Sequence, residues 1–168
     1  FNTASFILSV INTVSIPGET YAICDDNLDG DDANGLNTFD LNAATLSIMG
    51  TQDISNLTIN YYSSNSNALA NVNPYPANYT TTTPNEEKVY IKVTTPDNCF
   101  KIKEITLVVN PLPAVITTSL VQCDSGFMPD GITLFNLAEA ISELTNDDAN
   151  LTVAFFFNGN SIDSNYVN

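Results

Sequence analysis

Lys88-Val89-Tyr90-Ile91-Lys92-Val93-Thr94 changes between polar and apolar at every step, with Val89, Ile91 and Val93 in one set and the remaining side chains in the other. A period of two is the signature of a half-buried strand, because successive side chains point to opposite faces. Working outward, Phe100 and Ile102 alternate with Lys101 and Lys103 before the apolar run 105–109, so 88–94 and 100–109 predict a hairpin across the turn 95–98. Upstream, Leu57, Ile59 and Tyr61 alternate with Thr58 and Asn60. Clusters of Asp, Asn, Gly, Ser and Pro at 25–35, 63–67, 71–78, 95–98 and 110–113 punctuate these runs. Several short strands without long amphipathic helices predict an all-β fold of Ig-like antiparallel β-sandwiches. One short connecting helix is expected in each module, after Phe39-Asp40-Leu41 and again after Phe135-Asn136-Leu137, where Ala and Leu favour helix. A loop packed over the sandwich end is the alternative.

The pattern occurs more than once. Ile23-Cys24-Asp25 matches Gln122-Cys123-Asp124 at an offset of 99 residues, and the same offset carries Leu8 and Val10 onto Leu107 and Val109. With small gaps, residues 39–43 match 135–139 and residues 57–62 match 151–156. Self-similarity at domain length means tandem modules. The chain is expected to hold the C-terminal strand of a preceding module (1–17), one complete module (18–116) and the N-terminal part of the next (117–168).

Nineteen acids against four basic residues and no histidine give a formal charge of −15. Such a chain repels phosphate backbones and anionic lipid, so nucleic acid is not an expected partner. Nor is membrane insertion expected in this segment, since no apolar run approaches the length of a span. Lacking Arg and His, the chain lacks the commonest general base and anion clamp, and a non-catalytic role is expected. The four lysines, Lys88, Lys92, Lys101 and Lys103, all fall on the expected hairpin, where they read as a solvated outward face. Tyr61, Tyr62, Tyr75 and Tyr79 read either as packing residues or as an aromatic binding surface.

Three cysteines are an odd count that the repeat resolves, because each module holds two, the counterparts of Cys24 and Cys99. Two schemes pair them: Cys24 with Cys99 inside a module, or Cys99 with Cys123 across a junction. If Cys24 lies at the entry pole of a sandwich, near the turn before the last strand, the first scheme is favoured, since a disulfide needs Cα atoms within about 7 Å. A Cys24–Cys99 bond would imply an oxidising, extracytoplasmic compartment. Reduced buried thiols are the alternative.

The densest chemistry is Asp25-Asp26-Asn27-Leu28-Asp29-Gly30-Asp31-Asp32. Oxygen donors at Asp25, Asn27, Asp29 and Asp31, with Gly30 for a sharp turn, match the opening of a calcium loop, and Asp40 could close the shell. Calcium is therefore the candidate cofactor, against a reading in which the loop is held by side-chain to backbone hydrogen bonds. The matching loop at 124–131 keeps two acids, so a site would not be shared by every module.

Taken in order, Cys24-Asp25, the Asp/Gly loop, Phe39-Asp40-Leu41, Tyr61-Tyr62-Ser63, Asn73-Pro74, Val89 to Val93, Asn98-Cys99-Phe100 and Leu107 to Pro113 resemble a tandem repeat of large surface proteins. These are the Bacteroidota adhesins exported by the type IX secretion system, including gliding-motility-associated adhesins. The resemblance implies a long extracellular, cell-surface stalk of Ig-like domains. Its expected partners are neighbouring modules of the same chain, an external surface or polysaccharide, and other filaments. An accessory carbohydrate-binding module of a secreted polysaccharide-degrading protein is the alternative.

Overall fold

The expected hairpin is the centre of the fold. In the computed structural model, which describes residues 14–114, 116–124 and 130–168, strand β5 (Glu86–Thr94) pairs antiparallel with β6 (Phe100–Asn110), running from Glu86 opposite Val108 to Thr94 opposite Phe100. Strand β3 (Thr58–Tyr62) flanks β5 on one side, and β1 (Thr20–Cys24) flanks β6 on the other, giving the order β1-β6-β5-β3. The β1–β6 pair is parallel, with Thr20 opposite Thr106 and Cys24 opposite Asn110, whereas an all-antiparallel sandwich was expected. The chain divides into two compact units, residues 1–112 and 113–168, and this sheet belongs to the first. Residues 1–13, which carry the matches at Leu8 and Val10, and the loop residues 125–129 lie outside the described set.

A second layer closes the core. Strands β2 (Thr38–Asp40) and β4 (Asn78–Thr80) pair antiparallel, and helix α1 (Leu41–Met49) follows β2 directly. Asp40 caps α1 by accepting from the Asn42 N–H at 2.8 Å, which satisfies one of the helix's orphan donors. The expected connecting helix is thus present. Its apolar face of Leu41, Ala44, Ile48 and Met49 packs with Phe39 onto Val89, Ile91, Val93, Ile105, Leu107 and Val109. Ile16 joins this core, so the entering chain is already docked before β1 begins. Gly18 makes that docking close: its N–H donates to the Ile48 carbonyl at 2.9 Å, and a Cβ there would stand 2.7 Å from the Ile48 Cα.

The opposite face of the sheet is covered too. Helix α2 (Asn65–Ala70) is capped by Ser64, whose side chain accepts from the Asn67 N–H. It buries Ala68 and ends in the left-handed Asn71. Lys92 lies under it at 4 % exposure, donating to the Ala68 carbonyl and to Asn71 Oδ1, both at 2.8 Å, with its ammonium over the Phe100 ring. Lys92 therefore leaves the expected solvated lysine face. Its charge is satisfied by a last-turn helix carbonyl, an orphan acceptor by helix geometry, and by one side-chain amide. Lys88 does remain outside, paired with Glu104 at 2.7 Å.

In the second unit, β7 (Leu134–Asn136) leads into a 3₁₀ turn (Leu137–Ala140) and helix α3 (Ile141–Thr145), repeating the β2–α1 arrangement. Asn136 caps the Ala138 N–H as Asp40 caps Asn42. Strands β8 (Phe155–Phe157) and β9 (Asn160–Ile162) form a hairpin, and β10 (Asn165–Val167) pairs with β7. Phe156, the counterpart of Tyr62, is exposed, and no counterparts of β5, β6 and α2 are present among the described residues of this unit.

Candidate functional site

The acidic loop is tied to the backbone rather than gathered around a point. Asp25 is 3 % exposed; its Oδ2 accepts from the Gly35 N–H at 2.8 Å and its Oδ1 from the Asp26 N–H at 2.9 Å. Asp26, Asp29 and Asp31 each accept the N–H two residues on, from Leu28, Asp31 and Ala33. These short side-chain turns are what Asp does where the chain must reverse. The Asn34 amide beside Asp29, helped by the Asp31 N–H, holds the Asp29 carboxyl below its ordinary pKa. Asp40 faces its own helix. Of the five residues expected to share a cation, Asp25 and Asp40 are thus engaged elsewhere, Asp29 and Asp31 sit in successive turns, and Asn27 takes part in the loop through its carbonyl, which accepts from Gly30 N–H. Among the described residues no three Cys, Asp or Glu side chains assemble as a metal site. We propose that the loop, held in this way, keeps its shape without calcium. Accordingly, adding millimolar calcium or EDTA should leave the melting temperature within about 1 °C, and a calcium-dependent rise would restore the metal.

What the two units share in this loop is a clasp. Asp124, the counterpart of Asp25, accepts from the Gly131 N–H at 2.8 Å, just as Asp25 accepts from Gly35. In the first unit the Cys24 carbonyl accepts from Asn37 Nδ2 at 2.8 Å, and in the second the Cys123 carbonyl accepts from Thr133 Oγ1 at 3.5 Å. The Asp that follows each cysteine thus fixes the strand end on which the cysteine stands. The ladder to β6 continues there, with the Asp25 N–H donating to the Asn110 carbonyl at 2.8 Å.

Cys24 and Cys99 do not meet. Because β1 runs parallel to β6, Cys24 is carried to the end of β6 at Asn110, while Cys99 stands just before its start at Phe100. The eleven residues of β6 separate them, roughly 33 Å at the rise of a strand. Both are exposed and unpaired, as is Cys123. The expected bond inside the module is corrected by the direction of β1: the chain does enter near Cys99, but five residues of strand take Cys24 away from it.

The tyrosines divide. Tyr61 and Tyr62 are buried on opposite faces of β3. Burial pushes the Tyr61 phenol up to about 12, against the opposing hydrogen bond with Thr45 at 2.9 Å. A raised folded pKa means the folded state keeps its proton longer than the unfolded chain. Its contribution is intact below pH 10 and is lost as pH rises through about 12. Alkaline titration should therefore remove roughly 2–3 kcal/mol of stability over that window. Tyr61→Phe should flatten the slope; an unchanged alkaline limb would show that Tyr61 is not its source. Tyr75 and Tyr79 stack with centroids 3.9 Å apart, and Tyr79 donates to Glu87. Burial pushes the Glu87 carboxyl up, but bonds from Tyr79 and from the Thr82 and Thr83 N–H groups outweigh it and leave it below the ordinary value.

Two cysteines at opposite ends of one sheet agree with a family comparison. The model of the FIDD domain, described as the Flavobacterium inter-domain disulphide bond domain, matches residues 20–113, from the start of β1 to just past β6. The chain belongs to the FIDD family. Membership accounts for cysteines that face outward from the FIDD module, and it ties the module to neighbouring domains of the same chain. A disulfide-forming domain of this kind belongs to an oxidising, extracellular setting. No curated protein and no solved structure matches the chain. No helix among the described residues is long and apolar enough to cross a membrane.

Proposed function

We propose that this chain is a non-catalytic repeat segment of a long extracellular cell-surface adhesin or filament, a stalk that carries attachment and serves gliding motility in a type IX-exported protein. The observation that carries the reading is the placement of the FIDD module's two ends. The entering chain runs beside β6, with the Ile16 carbonyl accepting from Lys103 Nζ at 3.1 Å and the Glu19 carbonyl from the Thr106 N–H at 2.8 Å. The leaving chain departs beyond Asn110. Entry and exit at opposite ends of a strand let modules follow one another in a line. Antibody raised against residues 18–116 should label intact, unpermeabilised cells, and in-frame deletion of the repeats should reduce attachment to surfaces. Labelling that requires permeabilisation would overturn the proposal.

A second reading, an accessory carbohydrate-binding module, has one observation in its favour. A cavity of about 370 Å³ between α1, β3 and the segment before β4 is lined by Tyr61, Tyr75, Asn42 and Asn60. An aromatic ring beside side-chain amides is the chemistry of sugar recognition. Binding of the full chain on a glycan array, lost in Tyr75→Ala, would favour this reading over a plain stalk.

A further inference from the structure

We infer that the cavity between α1, β3 and the segment before β4 is a binding site for one neutral hexopyranose ring. The side-chain amides of Asn42 and Asn60 read its hydroxyls, and Tyr75 seats its apolar face. The inference rests on the carbohydrate-binding reading and deepens it, by naming the class of sugar and the groups that hold it. All of these residues belong to the first compact unit.

Among the described residues, neither the Asn42 nor the Asn60 side-chain amide has a hydrogen-bond partner. Asparagine is used differently elsewhere in this unit: Asn34 accepts from the Leu36 N–H, Asn37 donates to the Cys24 carbonyl, and Asn71 accepts from Lys92. An amide offers two donors and two acceptor lone pairs, the complement of neighbouring sugar hydroxyls, each of which both gives and takes. The Thr45 and Tyr61 hydroxyls of the same lining are already bonded. Thr45 Oγ1 donates to the Leu41 carbonyl at 2.7 Å and stands 2.9 Å from the Tyr61 phenol. Polar recognition therefore falls to the two amides.

Tyr75 is held before any ligand arrives. Its N–H donates to the Tyr61 carbonyl at 2.8 Å, and its ring stacks on Tyr79 at 3.9 Å. Tyr79 is fixed in turn by its bond to Glu87, which also accepts from the Thr82 and Thr83 N–H groups. A ring ordered in advance loses little rotamer freedom on binding.

Charge chooses the sugar. None of the residues lining the cavity is charged, in a chain of formal charge −15. A cationic ligand would find no carboxylate there, and the field of the whole chain opposes an anionic one such as a uronate. Size sets the length. A cavity of about 370 Å³ is near the small end of ligand sites, roughly 300–1,000 Å³, and suits a single ring.

The test is NMR titration of the isotope-labelled chain with the methyl glycosides of glucose, galactose and mannose. Methyl glucuronide is the control, because it bears a carboxylate where the glucoside has a hydroxymethyl group. At least one neutral glycoside should move the Asn42, Asn60 and Tyr75 signals saturably, with a dissociation constant of about 1 mM. The glucuronide should bind roughly tenfold more weakly. Asn42→Ala, in the exposed first turn of α1, should weaken binding roughly tenfold with the melting temperature unchanged. Unmoved signals with all three neutral glycosides, a glucuronide held as tightly as the glucoside, or undiminished binding in Asn42→Ala would overturn the inference. Glycans retained on the array by the full chain and equally by Asn42→Ala would sink the cavity and spare the carbohydrate-binding reading. A saturable titration with an array that retains nothing would support the site and sink the accessory-module reading.

Discussion

Asp25→Ala should lower the melting temperature by roughly 12–20 °C, the effect of about 3 kcal/mol in a domain of this size. The carboxylate is buried and receives two backbone N–H groups, from Gly35 and Asp26. A charged acceptor contributes more than a neutral one, and its removal strands the Gly35 donor where water cannot easily replace it. Gly35 cannot shift to find another partner: its φ of +71° suits glycine, and its carbonyl is already bonded to the Asn85 N–H at 2.8 Å. Asp25→Asn keeps one acceptor and should lose about half as much. Differential scanning calorimetry with and without calcium distinguishes this clasp from a metal ligand, because the clasp predicts the same loss in EDTA. A loss seen only in the presence of calcium would overturn the structural assignment.

Gly18→Ala should cost about 2–3 kcal/mol although it adds a single methyl group to a segment outside any strand or helix. In an unconstrained segment the same change stabilises by about 0.4–1 kcal/mol, by restricting the unfolded chain. Here the new Cβ would sit 2.7 Å from the Ile48 Cα and 3.0 Å from its carbonyl oxygen, both backbone atoms of α1 that cannot rotate away. Relief requires the entering chain to lift off the helix, breaking the 2.9 Å bond from the Gly18 N–H and loosening Ile16 in the core. Thermal melts of the variant followed by far-ultraviolet circular dichroism give the sign. A melting temperature at or above that of the parent chain would place the entering segment away from α1.

Much of the fold was legible because its signals are local. The alternation at 88–94 and 100–109 specified the β5–β6 hairpin, and Asp40 ahead of an Ala- and Leu-rich run announced α1. The direction of β1 was not legible. Tyr21 and Ile23 mark a strand, but nothing in five residues says whether it will lie parallel or antiparallel to a partner more than eighty positions away. The choice of disulfide partners depended on that direction, so it failed with it. Lys92 misled for a related reason: alternation assigns a residue to a face and is silent about what covers that face. The cover, α2, is built from Asn65, Ser66 and Asn67, residues that read as a turn until Ser64 caps them into a helix. The acids at 25–31 are ambiguous by composition, since carboxylates closing turns and carboxylates gathering a cation share a spacing. The contact that separates Asp25 from the exposed acids, its inward turn to Gly35, spans ten residues.

The parallel seating of β1 on β6 decides how the module would bear tension. The strands nearest its two ends are hydrogen-bonded neighbours that run the same way, from Thr20 opposite Thr106 to Cys24 opposite Asn110. A pull that draws the entering and leaving chain apart acts along these strands in opposite senses, and it loads the bonds of their ladder together, in shear, rather than opening them one at a time.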